Sequence, residues 1–378
     1  MMHLVAVGAV CAVEFCALMS PYPLVCEPVL WYNDGDMMNI LAAGVHQLDP
    51  VLLEVPGTPL AIRWYGLAYL AGFVLGYYVL LQLSKKKLYV VEPDKLSDFV
   101  AMQVCLIGVV CGGRLGEYFF YHLPNVGLGD IIDDPTWVFR VWEGGMASHG
   151  GIIGVILVAL WYARRRKLSF PAVLDGLAIV APIGLCFGRI ANYINGELYG
   201  RVCDASNFFA VKFPQSFGEL TVSQRAEAIA DVCQAANVQH ASELYLRNEQ
   251  GEIIEYTETM LARVCRENDA CCNALAEHLQ PRYASQLFEA FGEGLLIFAV
   301  LLIVRLKWKN APAGLFAGLF GVIYAIARIV CECFKEPDDA VWAGVTKGQA
   351  LSLLIFVGGC LYLYHALKQQ KMQDLQKK

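Results

Sequence analysis

The sequence predicts an all-α polytopic membrane protein: seven transmembrane helices, N-terminus outside, C-terminus cytoplasmic, and a small extracytoplasmic head. Three observations carry this expectation. Of 378 residues, 57% are hydrophobic and only 17% charged, where a soluble domain carries about a quarter, and the mean hydropathy is +0.47. Seven apolar stretches approach the roughly 20 residues that cross a bilayer as helix. Positive charge clusters at alternate ends of those stretches, which orients them.

Taken in order, residues 1–37 differ from the rest. An apolar run at 4–19 is broken by Glu14 and has no basic leader, so it reads poorly as a signal peptide. Met37 and Met38 offer an alternative start, leaving 1–37 as an N-terminal extension of open status and 38–378 as the seven-span domain. The stretch DPVLLEVPGTPLAIRWYG, punctuated by proline and glycine, predicts a short amphipathic or strand-like element at the outer interface, with Trp64 and Tyr65 at headgroup level.

The spans fall at 64–83, 98–120, 150–163, 172–194, 286–304, 312–334 and 347–367, the third being short enough to suggest an earlier start. Lys85, Lys86 and Lys87 follow the first span, and Arg164, Arg165, Arg166 and Lys167 the third. Arg305, Lys307 and Lys309 follow the fifth, and Lys368, Lys371, Lys377 and Lys378 the seventh. The short segments on the other side hold only Arg140, Lys335 and Lys347. That asymmetry puts the odd-numbered exits in the cytoplasm. The connection at 124–151 contains Trp137 and Trp142 and is too aromatic for a plain linker. Residues 197–282 form the one sizeable extramembrane region; its polar, helix-prone middle at 217–278 predicts a small helical cap.

Several classes are disfavoured. A net charge of −6 and no basic stripe with interleaved aromatics argue against nucleic acid as a partner. No internal repeat at 20–50 residues is visible. No zinc spacing or C-x-x-C pattern appears among the 14 cysteines, so no metal is expected. Cys105, Cys111, Cys186, Cys331, Cys333 and Cys360 lie in or beside spans and read as small apolar residues. Cys203, Cys233, Cys265, Cys271 and Cys272 fall in the outer region. An oxidising compartment allows pairing there, but five is odd and sequence gives no connectivity.

Chemistry concentrates at three arginines in apolar stretches: Arg114, Arg189 and Arg328. An arginine at bilayer depth costs about 2.5–3.5 kcal/mol on insertion scales, and its fork of donors suits phosphate. Arg189, Asn192 and Asn195 recur every three residues and share a helix face, followed by Glu197, Tyr199, Gly200 and Arg201. This face is either a polar wall for a ligand or a hydrogen-bonded network that locks helices, with Arg189 paired to a carboxylate. Tyr324, Arg328 and Glu332 form a second face at i+4 steps. Its Arg–Glu pair alone is compatible with a structural salt bridge, whereas two guanidiniums converging on one phosphate would make a clamp. His149, in WEGGMASHGGIIG, suits a base near neutral pH or a helix-start cap beside a small-residue packing face. Arg114 with Glu117 and Tyr118 favours packing. Gln286, Glu289 and Glu293 line one side of the fifth span as support for the arginines, and Asp175 reads as structural.

On these residues the chain resembles the bacterial phosphatidylglycerol–prolipoprotein diacylglyceryl transferase family. The matching stretches are IRWYGLAYL, GGRLGEYFFY, VWEGGMASHGGIIG, GRIANYINGELYGR, SQLFEA and ARIVCECFKEPD, in the family's order over most of 46–367. The resemblance implies a seven-span fold of the bacterial inner membrane whose site opens outward and to lipid. It implies transfer of the diacylglyceryl group of phosphatidylglycerol to the thiol of a lipobox cysteine in a prolipoprotein. A thioether forms, glycerol phosphate leaves, and no cofactor or metal is needed. It assigns catalytic importance to Tyr65, His149, Arg189 and Arg328. The phosphatidylglycerol contacts it implies fall on Arg189, Asn192, Asn195, Glu197, Gly200 and Glu332; the helix faces add Tyr324 as a further contact and Arg114, Gln286 and Glu289 as support. His149 is the expected base. The chain departs from the family at Tyr283-Ala284-Ser285-Gln286, where many members have His-Pro-Ser-Gln, and in a longer, cysteine-richer insertion within 217–278. The rival from another class is a transporter of an anionic solute, with arginines lining its path.

Overall fold

The structure is a computed structural model that describes residues 44–54, 61–123, 146–237, 258–336 and 345–376. The expectations for residues 1–37, Trp137, Arg140 and Trp142 lie outside the described residues. Ten helices and five short strands organise the described residues: β1 (Gly44–Val45), β2 (Val51–Glu54), β3 (Ala61–Arg63), α1 (Trp64–Lys85), α2 (Pro93–His122), α3 (Ser148–Arg166), α4 (Phe170–Asn195), β4 (Ala210–Lys212), α5 (Val222–Ala235), α6 (Glu258–Glu267), α7 (Asp269–His278), β5 (Pro281–Tyr283), α8 (Ser285–Lys307), α9 (Leu315–Glu332) and α10 (Lys347–Gln376).

Among the described residues, α1, α2, α4, α8, α9 and α10 are long and apolar enough to cross a membrane. The remaining expected span, the third in order, is α3, a 19-residue helix that begins two residues before its expected start and ends on three arginines. The basic residues used for orientation sit partly in helix ends. Lys87 (φ 56°) and Lys167 (φ 55°) take the left-handed conformation just beyond α1 and α3, where cations also face the negative end of the helix dipole. The chain is not purely helical. β2 and β3 pair antiparallel and run straight into α1, so the strand-like reading of that stretch holds. The sheet order β1-β4-β5 was not legible, because strands of two or three residues carry no periodicity.

The chain divides into two compact units. The first comprises the chain up to Tyr69, Leu185–Gly294 and Ala325–Leu353. It contains the expected helical cap: α5, α6 and α7 bury Ala228, Val232, Leu261, Cys265, Cys271, Cys272 and Leu275 together with Phe217. Beneath that core, β4 pairs parallel to β1 and antiparallel to β5, so the head is α+β rather than helical.

The second unit comprises Leu70–Gly184, Leu295–Tyr324 and Leu354 onward. Its core joins Leu80, Leu96, Phe99, Val158, Tyr162 and Val173. Here α2 and α3 cross backbone to backbone: a Cβ on Gly150 would lie 2.4 Å from the Gly112 carbonyl oxygen, and one on Gly154 2.2 Å from that of Gly108. This is the small-residue packing face anticipated around His149. Asp175 is structural, as expected. Its carboxylate accepts from the backbone N–H groups of Gly314 (2.7 Å) and Ala317 (2.9 Å), satisfying donors that the start of α9 leaves open.

Candidate functional site

In the first unit α8 runs close to both α4 and α9. A Cβ on Gly294 would lie 2.5 Å from the Cβ of Cys186 on α4, and one on Gly292 3.4 Å from the Cys331 sulfur on α9. Whatever polar groups α8 carries on those faces must therefore meet the groups of its two neighbours. It carries Glu289 and, one turn on, Glu293, both fully buried.

Both arginines converge on these two carboxylates. Glu289 receives Arg189 Nη1 on one oxygen and Arg328 Nη1 on the other, each at 2.9 Å. Glu293 receives Arg328 Nη1 at 3.0 Å, while Arg189 Nη2 stands 3.6 Å away. Arg328 Nη2 reaches Glu332 at 3.1 Å, the i+4 pair expected from the sequence. Glu332 in turn accepts from the Thr346 hydroxyl at 3.1 Å. Of the two alternatives at Arg189, the structure shows the pairing to a carboxylate, and it brings Arg189 and Arg328 onto the same two acids.

Charge and exposure give this cluster a direction. The side chains of Arg189 and Arg328 are 19% and 13% exposed, whereas Glu289 and Glu293 are at 0%. The acids lie underneath and the guanidiniums on top. Lys335 is buried and feels Glu289, so three cations (Arg189, Arg328, Lys335) face three anions (Glu289, Glu293, Glu332). A cluster balanced in this way attracts an anion through oriented N–H donors rather than through net charge.

A polar wall continues from Arg189. Asn192 and Asn195 donate their side-chain amides to Glu197 at 2.8 and 3.2 Å. The chain turns there through Gly196 (φ 69°) and Leu198 (φ 56°). Gln286 donates to the Glu197 backbone carbonyl at 2.8 Å, so it fastens the turn that carries Glu197. Tyr65, at the start of α1, shares a hydroxyl contact of 3.4 Å with Tyr69 and feels the charges of Glu197 and Arg189. Gly200 is a backbone junction: its N–H donates to the Tyr283 carbonyl and its own carbonyl accepts from Arg282 at 3.1 Å.

Tyr65, Arg189, Asn192, Asn195, Glu197, Gly200, Gln286, Glu289, Arg328 and Glu332 all belong to the first unit. Arg114, His149 and Tyr324 belong to the second. There Arg114 is buried, Tyr324 stacks on Phe320, and His149 is exposed on the first turn of α3 without capping it.

Two groups of residues at the site escaped the sequence reading. Arg282, buried, bonds Glu219 and Glu336 and lies 5.0 Å over the Tyr199 ring; an arginine in the three-residue strand β5 carries no periodic signal. Thr346 caps α10, and the Gln349 side chain reciprocates to its backbone N–H. The T-x-x-Q spacing of a capping box was the available signal.

Comparison with known proteins follows this geometry. The family model described as prolipoprotein diacylglyceryl transferase matches residues 50–365. A Bdellovibrio bacteriovorus protein named phosphatidylglycerol–prolipoprotein diacylglyceryl transferase is 39% identical over 84% of this chain and 93% of its own. Proteins with the same name from Azospirillum brasilense (36% identical; 85% and 95% covered) and Proteus mirabilis (33%; 86% and 94%) are also similar. Nothing in these findings supports the anion-transporter reading.

Proposed function

The chain belongs to the prolipoprotein diacylglyceryl transferase family, and from that premise we propose how its residues carry out the transfer. It is a multi-pass membrane transferase that moves the diacylglyceryl group of phosphatidylglycerol onto the thiol of a lipobox cysteine in a prolipoprotein. The thiol loses its proton, sulfur attacks the glycerol carbon bonded to the phosphate oxygen, and that carbon–oxygen bond breaks. A thioether forms, and glycerol phosphate leaves with the electron pair.

The observation that supports this reading best is the pair of guanidiniums standing over Glu289 and Glu293. The departing phosphate gains negative charge as the carbon–oxygen bond breaks. Donors already oriented toward that charge lower the barrier without reorganising. Buried acids beneath them keep the N–H edges aimed, which free arginine side chains would lose to rotation. Asn192, Asn195, Glu197 and Tyr65 then form the wall beside the lipid headgroup, and Glu332 orients Arg328. Because the thiolate is the nucleophile and a free thiol has a pKa near 8.5, a base helps. We assign that role to His149 on the family resemblance, with Arg114 as a supporting residue and Tyr324 as a contact to phosphatidylglycerol. In the bilayer α3 is also a span, third in order, which brings the total to seven. The N-terminus and head face outward, and the C-terminus faces the cytoplasm of a bacterial inner membrane, as the basic clusters imply.

The test is transfer from phosphatidylglycerol to a lipobox peptide, read as a diacylglyceryl mass increase on its cysteine. Arg189→Ala is expected to reduce kcat/KM at least a hundredfold, about 2.7 kcal/mol, in protein that still inserts and folds. Undiminished turnover in such a preparation would remove the leaving-group role.

A further inference from the structure

Between the Glu197 turn and β4 the chain makes two successive turns. The Asn207 N–H closes the first on the Asp204 carbonyl at 3.0 Å, and the Ala210 N–H closes the second on the Asn207 carbonyl at 2.9 Å. Side chains lock both. Asp204 accepts from the Ser206 N–H at 2.8 Å and from its hydroxyl at 2.6 Å, and Asn207 accepts from the Phe209 N–H at 2.9 Å. Asp, Ser and Asn are the residues that such turns favour. The two central residues of the second turn are of another kind, Phe208 and Phe209. Phe208 is 89% exposed, more than any other large apolar side chain among the described residues, and Phe209 is exposed beside it.

This loop is fastened to the start of α8. The Phe209 carbonyl accepts from the Ala284 N–H at 3.2 Å, one residue before the helix begins. The Phe209 ring meets Phe288 edge to face at 5.0 Å, and Phe208 meets Phe209 in the same way at 5.0 Å. On α8, Phe288 neighbours Phe291 at i+3 spacing, and Phe291 is 60% exposed. In a span, such a side chain faces acyl chains. The 23 residues of α8 rise about 34 Å at 1.5 Å each, against a hydrocarbon core of about 30 Å, and its far end carries Arg305 and Lys307. Ser285 therefore stands at one boundary of the hydrocarbon. The rings of Phe291, Phe288, Phe209 and Phe208 lead from the lipid-facing side of the helix to the tip of the loop.

We propose that the loop at 204–209 is a lipid-inserted foot of the head: the Phe208 side chain, backed by Phe209, enters the headgroup–acyl boundary of the leaflet at the N-terminal end of α8. Insertion covers an aromatic ring that water would otherwise surround. No lysine or arginine lies between Arg201 and Lys212, so apolar burial drives the insertion, attraction to anionic lipid does not, and any phospholipid serves. The loop continues directly from the turn that carries Glu197. Its seat in the leaflet thereby holds the polar wall at headgroup depth. With the orientation given above, that leaflet is the outer one. The inference needs α8 to be a span; it does not need the transferase reading.

The experiment uses the full chain with Phe208 replaced by p-benzoylphenylalanine, a photoreactive side chain that inserts into neighbouring C–H bonds. The protein is reconstituted into vesicles of phosphatidylcholine or of phosphatidylglycerol, irradiated, digested and mass-analysed. A mass increase of one phospholipid on the peptide containing position 208 is expected in both. The same replacement at Phe291 reports the lipid-facing side of α8. Lipid adduct at position 291 with none at 208 overturns the proposal, because the loop then stands clear of the bilayer. An adduct at 208 confined to phosphatidylglycerol vesicles also overturns it, since the contact is then with the substrate and not with the leaflet. So does an adduct to a lipobox peptide, added in a parallel irradiation, that replaces the lipid adduct. No adduct at either position removes α8 from the lipid, and the foot with it. Transfer is measured on the phosphatidylglycerol preparations before irradiation. Full transfer without a lipid adduct at 208 sinks the foot and leaves the transferase reading intact.

Discussion

Glu289→Gln perturbs the cluster at its most connected point while preserving shape. The carboxylate gives one oxygen to Arg189 and the other to Arg328, both at 2.9 Å, in a side chain with no solvent exposure. Glutamine keeps one acceptor and sets an NH2 donor against a guanidinium donor. Breaking a buried ion pair by removing one partner costs about 3–5 kcal/mol. Glutamine forfeits one of two contacts, so about 2 kcal/mol is the expected loss, which is roughly thirtyfold if it falls on the transition state. Glu293→Gln is the internal control. Its oxygen is 3.0 Å from Arg328, but Arg189 is already 3.6 Å away, beyond a good hydrogen bond, so Arg189 stays held and the loss should be smaller. The assay is transfer to a lipobox peptide with kcat and KM separated, alongside thermal unfolding in detergent. If Glu289→Gln keeps kcat/KM within twofold of the parent, the acids do not aim the arginines and the positioning argument fails, whatever happens to Tm.

Other expectations follow from single contacts. Gly348→Ala would place a Cβ 2.7 Å from a Glu332 carboxylate oxygen, displacing the partner of Arg328, and should lower transfer at least tenfold; unchanged activity would detach Glu332 from function. Gly154→Ala would drive a Cβ to 2.2 Å from the Gly108 carbonyl oxygen. The α2–α3 crossing should lose at least about 1–3 kcal/mol, the usual cost of overpacking, seen as a lower Tm. Gly151→Ala, whose nearest atom is 3.7 Å away, should change nothing. His46 is buried between the rings of Tyr193 and Phe213, and burial holds its pKa below the ordinary 6.5. The unfolded chain takes up that proton first as pH falls. Its stabilising contribution is therefore complete above pH 6.5 and declines below it. Melting between pH 7.5 and 5.5 should show that decline, and His46→Phe should flatten it; an equal slope in both proteins would refute the assignment.

The helices were legible because lipid leaves a chain few choices. With no water to bond, backbone groups in a bilayer must be satisfied within the segment, so composition and length alone marked 64–83, 172–194 and 286–304 within a few residues of α1, α4 and α8. Helical spacing likewise put Arg328 with Glu332 and Asn192 with Asn195. The motifs supplied the family.

Partnership across the fold was not legible in the same way. Periodicity says which residues share a face, but not which face meets which helix. Glu289 read as support behind the arginines, yet it is the group on which both of them close. It lies 100 residues from Arg189 and 39 from Arg328, and only the close passage of α8 beside α4 and α9 brings the three together. Composition and local spacing decided the solvent, the helices and the family. Packing at helix crossings decided how the charges are compensated, because that depends on distances between segments far apart in the chain.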